Sequence, residues 1–148
     1  MRSGMSTPAP LPASSPDNPH RLRAKVYLED TDAQGIVYHA NYLKYCERSR
    51  TEILGQYGYS LGEMQARGYL FVVFEMRLRF VKPARLHDEL EVVTTCERTS
   101  DYRVVFHHKV YRLPMASPAD DALFVADAQV AAIDPQGELQ ELPEGLFE

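Results

Sequence analysis

The chain has 148 residues, enough for one domain, and its 45% hydrophobic and 25% charged residues are ordinary for a globular protein. A net charge of −5 leaves no basic excess to draw it to nucleic acid or an anionic membrane. The longest apolar run, Tyr69 to Phe74, is far too short to span a bilayer, and the two cysteines, Cys46 and Cys96, lack CxxC spacing, which argues against a disulfide scaffold or a structural zinc site.

Residues 1–20 hold five prolines among Ser, Ala and Gly. They offer too little apolar surface to offset ordering entropy, so a flexible tail is expected, followed by a single domain over 21–148. The tail has no continuous apolar segment of the signal-peptide kind, and a reduced, cytoplasmic location is expected. "RLRAKVYLE" alternates at Leu22, Ala24, Val26 and Leu28 and predicts a strand. From Asn41, "NYLKYCERSRTEILGQYG" sets Tyr42, Cys46, Ser49, Ile53 and Tyr57 on one helical face, with Lys44, Glu47, Arg48, Arg50 and Glu52 on the other. "SLGEMQARG" predicts a short second helix with Ser60 as N-cap and Glu63 closing a capping box.

The remainder reads as strands. In "LFVVFEMRLRFV", Phe74, Met76, Leu78 and Phe80 alternate with Glu75, Arg77 and Arg79. "KPARLHD" predicts a turn at Pro83, followed by "ELEVVTTCERT", "DYRVVFHHKVYRL" and, after the polar loop "PMASPADD", "ALFVADAQVAAID". Four consecutive strands with short links predict an antiparallel meander joined by the first strand. The fold class is therefore α+β, a curved antiparallel sheet wrapped around one long helix. Such a sheet has open edges, which predicts a symmetric dimer or a larger homo-oligomer.

The chemistry concentrates in "EDTDAQGIVYHANY", Glu29 to Tyr42. Asp32 stands just ahead of the long helix, Gly35 permits a tight turn, and Asn41 is a candidate N-cap. The first N–H groups of that helix lack internal partners and make a positive end of about half an elementary charge. A carboxylate, free backbone donors and His39 at a pocket mouth are the parts needed to bring water to a carbonyl. The plainer alternative is an acid that only caps or solvates the turn. A metal site built from Glu29, Asp30, Asp32 and His39 is not expected, because the acids repel one another and no second histidine has matching spacing. Adjacent His107 and His108 face opposite sides of a strand. Cys46 lies on the apolar helix face, where a thiol is inert packing, and Ser49 lacks a GxSxG elbow.

"VYLEDTDAQGIVYHANYLKYCERSRTEIL" and "FVVFEMRLRFVKPARLHDELEV" closely resemble the acyl-CoA thioesterases of the 4-hydroxybenzoyl-CoA thioesterase family, in particular the small thioesterases associated with the Tol–Pal system. The resemblance covers roughly residues 22–135 and implies the hotdog fold, in agreement with the sheet-around-helix reading. It implies hydrolysis of an acyl-CoA thioester to a free acid and coenzyme A. Asp32 would be the catalytic base or nucleophile, and the backbone N–H of His39 would meet the thioester oxygen. Gly35, Tyr38, Asn41, Tyr42, Val73 and Phe74 are candidate substrate-binding residues, the last two completing the pocket from across a dimer interface. Lys82 and Arg85 are candidates for the coenzyme A phosphates. No cofactor is expected, coenzyme A being part of the substrate. Acyl carrier protein or an envelope-associated partner stays open. The competing readings are a non-catalytic acyl or coenzyme A binding module and a hydroxyacyl-thioester dehydratase, whose acid–histidine spacing fits poorly.

Overall fold

The computed structural model describes residues 15–115 and 121–148; the expected tail falls largely, and the "PMASPADD" loop partly, outside the described residues. The elements are β1 (His20–Lys25), a 3-10 turn (Leu28–Asp30), α1 (Asn41–Gln56), α2 (Leu61–Ala66), β2 (Leu70–Phe80), β3 (Glu89–Arg98), β4 (Arg103–Leu113) and β5 (Phe124–Ile133). The five strands form one antiparallel sheet in the order β1-β3-β4-β5-β2, with α1 against β1 and β3. Ser60 caps α2 as its sequence predicts, its Oγ accepting from Glu63 N at 3.1 Å.

Two expectations need correction. β1 stops at Lys25, and Leu28, read as facing inward, is 76% exposed. The Asp30 carboxylate accepts the Tyr27 N–H at 2.9 Å and curls the chain into the 3-10 turn, a local alternative to the strand ladder that acidic side chains readily provide. The meander holds for β3, β4 and β5, but β2 lies at the far edge beside β5. "KPARLHD" is therefore a crossover instead of a hairpin turn. Val81 N donates to Leu123 O at 2.8 Å on the β5 side, and Val26 N donates to Asp88 O at 2.9 Å on the β1 side. Between them the fully buried Ala84 is held at the start of α1, where Val37 N donates to its carbonyl at 2.9 Å and its own N–H donates to Tyr42 Oη at 3.1 Å. α1 and α2 separate β1 from β2 in the chain, and β2 lies at the opposite edge of the sheet from β1.

The core divides into two apolar clusters along α1. Near the helix start, Tyr42, Tyr45 and Cys46 pack with Leu90, Val92, Val110 and Phe124; near its end, Ile53 and Leu54 pack with Val104, Phe106, Val130 and Phe147. Between them lies a polar layer. Ser49 and Thr94 are fully buried and His108 is 1% exposed. Arg50, read from its helical position as solvent-facing, turns inward and places Nη1 3.1 Å from His108 Nε2, while His108 Nδ1 lies 2.8 Å from Thr94 Oγ1. An arginine can only donate, so Nε2 accepts and the proton sits on Nδ1, which donates to Thr94. Burial, with the Arg50 charge second, holds His108 down at about 3. Burial likewise pushes the Cys46 thiol up to about 12, so it is packing, as its position predicts.

After β5 the chain folds back over the second cluster. Leu142, Leu146 and Phe147 are buried. Arg98 secures this strap by donating through Nη1 to the carbonyls of Pro143 at 2.9 Å and Leu146 at 3.2 Å.

A histidine held neutral far below its ordinary value of 6.5 gives a stability contribution complete above about pH 6.5 and lost as pH falls toward 3, because only the unfolded chain takes up the proton in that window. Urea midpoints of the protein and of His108→Gln, measured from pH 7 to pH 4, will converge on acidification. A constant difference across the range would show that His108 does not stay neutral.

Candidate active site

The segment from Asp30 to Asn41 is a folded loop pinned at both ends. Asp32 N donates to Ile36 O and Gly35 N donates to Asp32 O, each at 3.0 Å. Gly35 has φ +78, in the left-handed region that a side chain disfavours, and nothing lies within 4 Å of a Cβ built there. Its role is the turn itself, which answers why a glycine stands between Asp32 and the helix. The Asp32 side chain is half-buried; Oδ1 accepts from Gln34 N at 2.8 Å, and among the described residues Oδ2 has no partner and no cation pairs with the carboxylate. One oxygen is thus fixed by the turn.

Asp30 ties this loop to the helix. Its carbonyl accepts from Tyr38 N at 2.9 Å and from Asn41 Nδ2 at 2.8 Å. Asn41 is not the N-cap its sequence position suggested. Ala40 takes that place with no side-chain cap, and Asn41, the first helical residue, reaches back to the loop. Among the described residues the N–H groups of His39 and Ala40 have no acceptor, so the positive end of α1 is open where the loop meets it.

Beside these donors is a cleft of about 290 Å³ lined by Ile36, Val37, His39, Tyr42, Phe80, Val81, Lys82 and Pro83. The exposed His39 ring sits edge-on to Phe80 with centroids 6.2 Å apart, and Tyr38 lies against its other side at 4.5 Å. Tyr42 is buried, stacked on Phe124 at 4.7 Å, and forms the cleft floor. Burial raises its hydroxyl above the ordinary tyrosine range, so it stays protonated there. Asp32 is not a lining residue of this cleft; it stands on the same loop, joined to it through the Thr31–Val37 bridge.

The structure thus brings Asp32, Gly35, Tyr38, His39, Asn41 and Tyr42 together at one end of α1. Lys82 joins them on the cleft wall, with its Nζ 3.8 Å from Asp121 in an exposed pair. Arg85 is bridged through its backbone to Ile36, and its N–H donates to Asp88 Oδ2 at 2.8 Å. Arg112, which the sequence did not single out, supports this corner by donating to Asp88 Oδ2 at 2.9 Å and to Pro83 O at 2.8 Å. Its strand periodicity gave no sign of this, because the crossover sets the partner. Phe80 and Val81 were read only as strand; nothing in their pattern separates a cleft wall from a sheet face. Val73 and Phe74 fall elsewhere in the chain. Val73 lines a second cavity, of about 280 Å³, with Leu54, Phe71, Phe106, Val130 and Phe147. Phe74 is the extra residue of a bulge between Val73 and Glu75, with the Arg103 guanidinium 4.9 Å from its ring centre. Glu29, Asp30, Asp32 and His39 form no metal cluster, and no other such group occurs among the described residues.

The residues from 34 to 119, more than half of the chain, match the model of the Thioesterase superfamily. The chain belongs to that superfamily, and its sheet wrapped around one helix is the hotdog fold. It is 36% identical over 115 residues, 78% of this chain and 82% of the other, to the acyl-CoA thioester hydrolase YbgC of Escherichia coli O6:H1. It is 38% identical over 96 residues, 65% of this chain and 70% of the other, to the acyl-CoA thioesterase YbgC of Helicobacter pylori. A crystal structure titled "Probable Thioesterase from Bartonella henselae" superposes with a TM-score of 0.75 at 31% identity, covering 84% of this chain and 99% of that one. The protein is thus a thioesterase by family.

Replacing Asn41 by Leu keeps the helix and removes the donor to Asp30, at a cost of about 1 kcal/mol for a lost hydrogen bond at a part-buried site. The expected result is a modestly lowered urea midpoint with a clearly reduced kcat. Unchanged kcat would show that the loop holds its position without Asn41.

Proposed function

We propose that the protein hydrolyses an acyl-CoA thioester to a carboxylic acid and free coenzyme A, with Asp32 as the reacting carboxylate. The observation that carries this is that one loop, pinned against the start of a 16-residue helix, holds both an Asp32 Oδ2 and His39 and Ala40 N–H groups that have no partner among the described residues. A thioester oxygen seated on those donors gains stabilisation as it takes up negative charge. Asp32 either accepts a proton from the attacking water or attacks the carbonyl itself, giving a mixed anhydride that water then opens. In both routes the C–S bond breaks and coenzyme A leaves as the thiol. The coenzyme A thioester is favoured by the names of both bacterial relatives. Lys82, on the cleft wall, and Arg85, whose backbone is bridged to Ile36 of that cleft, supply cations for its phosphates. On the resemblance of its sequence motifs, we place the chain in the branch of small Tol–Pal-associated thioesterases, acting in the cytoplasm.

The working unit is a symmetric dimer paired through β2. That strand is 11 residues long, sits at the sheet edge and exposes Val73, Phe74, Leu78 and Phe80, each by 41% or more. A long apolar edge strand is a pairing template. Antiparallel two-fold pairing sets the Leu70 end of one β2 beside the Phe80 end of the other. The second cavity and Val73 of one copy would then face the His39 cleft of the other, uniting the halves that a single chain keeps apart.

Asp32→Asn is expected to retain the fold and lose about a hundredfold to ten-thousandfold in kcat on a panel of acyl-CoAs followed by thiol release. His39→Ala, which keeps the backbone N–H, is expected to lose far less. An undiminished Asp32→Asn enzyme rules out the carboxylate mechanism. Leu78→Lys, a charge on the exposed edge, is expected to sediment as a monomer and to lose turnover with it; a fully active monomer excludes the shared site.

A further inference from the structure

The second cavity is lined by polar Glu47, Arg50 and Thr51 on α1 and by apolar residues that include Leu54, Phe71, Phe106 and Phe147. At about 280 Å³ it lies just below the roughly 300–1,000 Å³ typical of small-molecule sites. Among the described residues, Phe147 is the one that also lines a larger, open space of about 770 Å³, together with Thr95, Cys96 and Arg98. Phe147 therefore stands where an apolar cavity and a wider space adjoin.

That position is held firmly. Phe147 is 4% exposed and meets Phe106 and Tyr57 edge-on at 5.4 and 5.6 Å. Its backbone has φ 62, a left-handed conformation that an aromatic residue adopts only where its surroundings impose it. Arg98 imposes it by gripping the carbonyls of Pro143 and Leu146 immediately before the ring. Phe147 is thus locked into the core.

We propose that Phe147 is the end wall of the acyl site and sets the longest acyl chain the enzyme accepts. The proposal rests on the acyl-CoA reading and on the β2 pairing, which bring this cavity to the reacting carboxylate of the second copy. An acyl chain entering past Val73 runs along Leu54 and Phe71 and stops against the ring. Shortening the ring opens the way into the larger space; enlarging it shortens the cavity. Because each methylene in an apolar pocket is worth about tenfold or more in selectivity, a shift of the wall is read directly in the chain-length profile.

The test is kcat/KM over straight-chain acyl-CoAs from acetyl to palmitoyl for the protein, Phe147→Leu and Phe147→Trp. Phe147→Leu is expected to move the optimum to longer chains, raising the long-to-short ratio about tenfold, and Phe147→Trp to move it to shorter ones. Leu54→Phe, which narrows the cavity from the helix side and leaves Phe147 itself unchanged, is expected to act like Phe147→Trp. Identical optima in the folded variants overturn the proposal while leaving thioester hydrolysis intact. Should the protein release no thiol from any acyl-CoA, the activity reading fails instead. Displacement of a fluorescent fatty acid by fatty acids of rising length then decides the wall on its own: a length limit that moves with residue 147 sustains it, and one that does not removes it.

Discussion

The carbonyl of Asp30 is the point on which the active end of the molecule depends. One oxygen takes the Tyr38 N–H and the Asn41 side chain together, and so closes the loop that carries Asp32 onto the first turn of α1. A carboxylate and a set of helix N–H groups repay proximity only when their relative position is fixed before substrate arrives. Asp30 supplies that fixity with its backbone while its side chain ends the preceding strand through Tyr27. The same residue therefore decides where β1 stops and where the loop begins. Ala84 completes the arrangement from the other side: with no side chain beyond Cβ, it lets the crossover pass close enough to α1 to bond both Val37 and the Tyr42 hydroxyl.

Behind this site the core is not uniformly apolar. A histidine, a threonine, a serine and an inward-turned arginine separate the cluster under the site from the cluster under the strap. A buried network of this kind adds little net stability, since desolvation offsets most of the attraction, but it is intolerant of displacement, because any shift leaves donors unpaired. Sliding α1 by one turn would bring Cys46 or Ile53 opposite His108 and strand both the imidazole and the guanidinium. The polar layer thereby fixes the register of α1 on β3 and β4, and with it the position of the helix start that the reactive loop uses.

Much of this was legible in the sequence, and what was not has identifiable physical causes. Alternation and helical spacing gave the strands and α1, because those patterns record which face is buried. The spacing from Asp32 through Gly35 to His39 gave the loop, because a turn with positive φ demands glycine. Local pattern failed where a long-range partner decides. Arg50 occupies a helical position that reads as solvent, and only His108, 58 residues away in the chain, draws it inward. "KPARLHD" has the composition of a hairpin turn, and only the placement of β2 at the far edge makes it a crossover. Asn41 has the chemistry of an N-cap, yet a carbonyl eleven residues earlier claims its amide. The strap after β5 was missed because Leu142, Leu146 and Phe147 follow no strand or helix period; Arg98, on β3, holds it by donating to the carbonyls of Leu142, Pro143 and Leu146.

The division of labour within one chain also explains why the edge strand is left open. The loop that carries Asp32 sits where α1 begins, and the second cavity lies along its later half, from Glu47 to Leu54. α1 runs unbroken from Asn41 to Gln56 and so keeps the two apart within one chain. A two-fold axis at β2 solves the geometry without new structure, since reversing one copy places its end against the other copy's beginning. On that view the exposed Val73 and Phe80 are the two halves of one binding surface. In the proposed dimer, the bulge at Phe74 would add local twist to the edge where the copies pair.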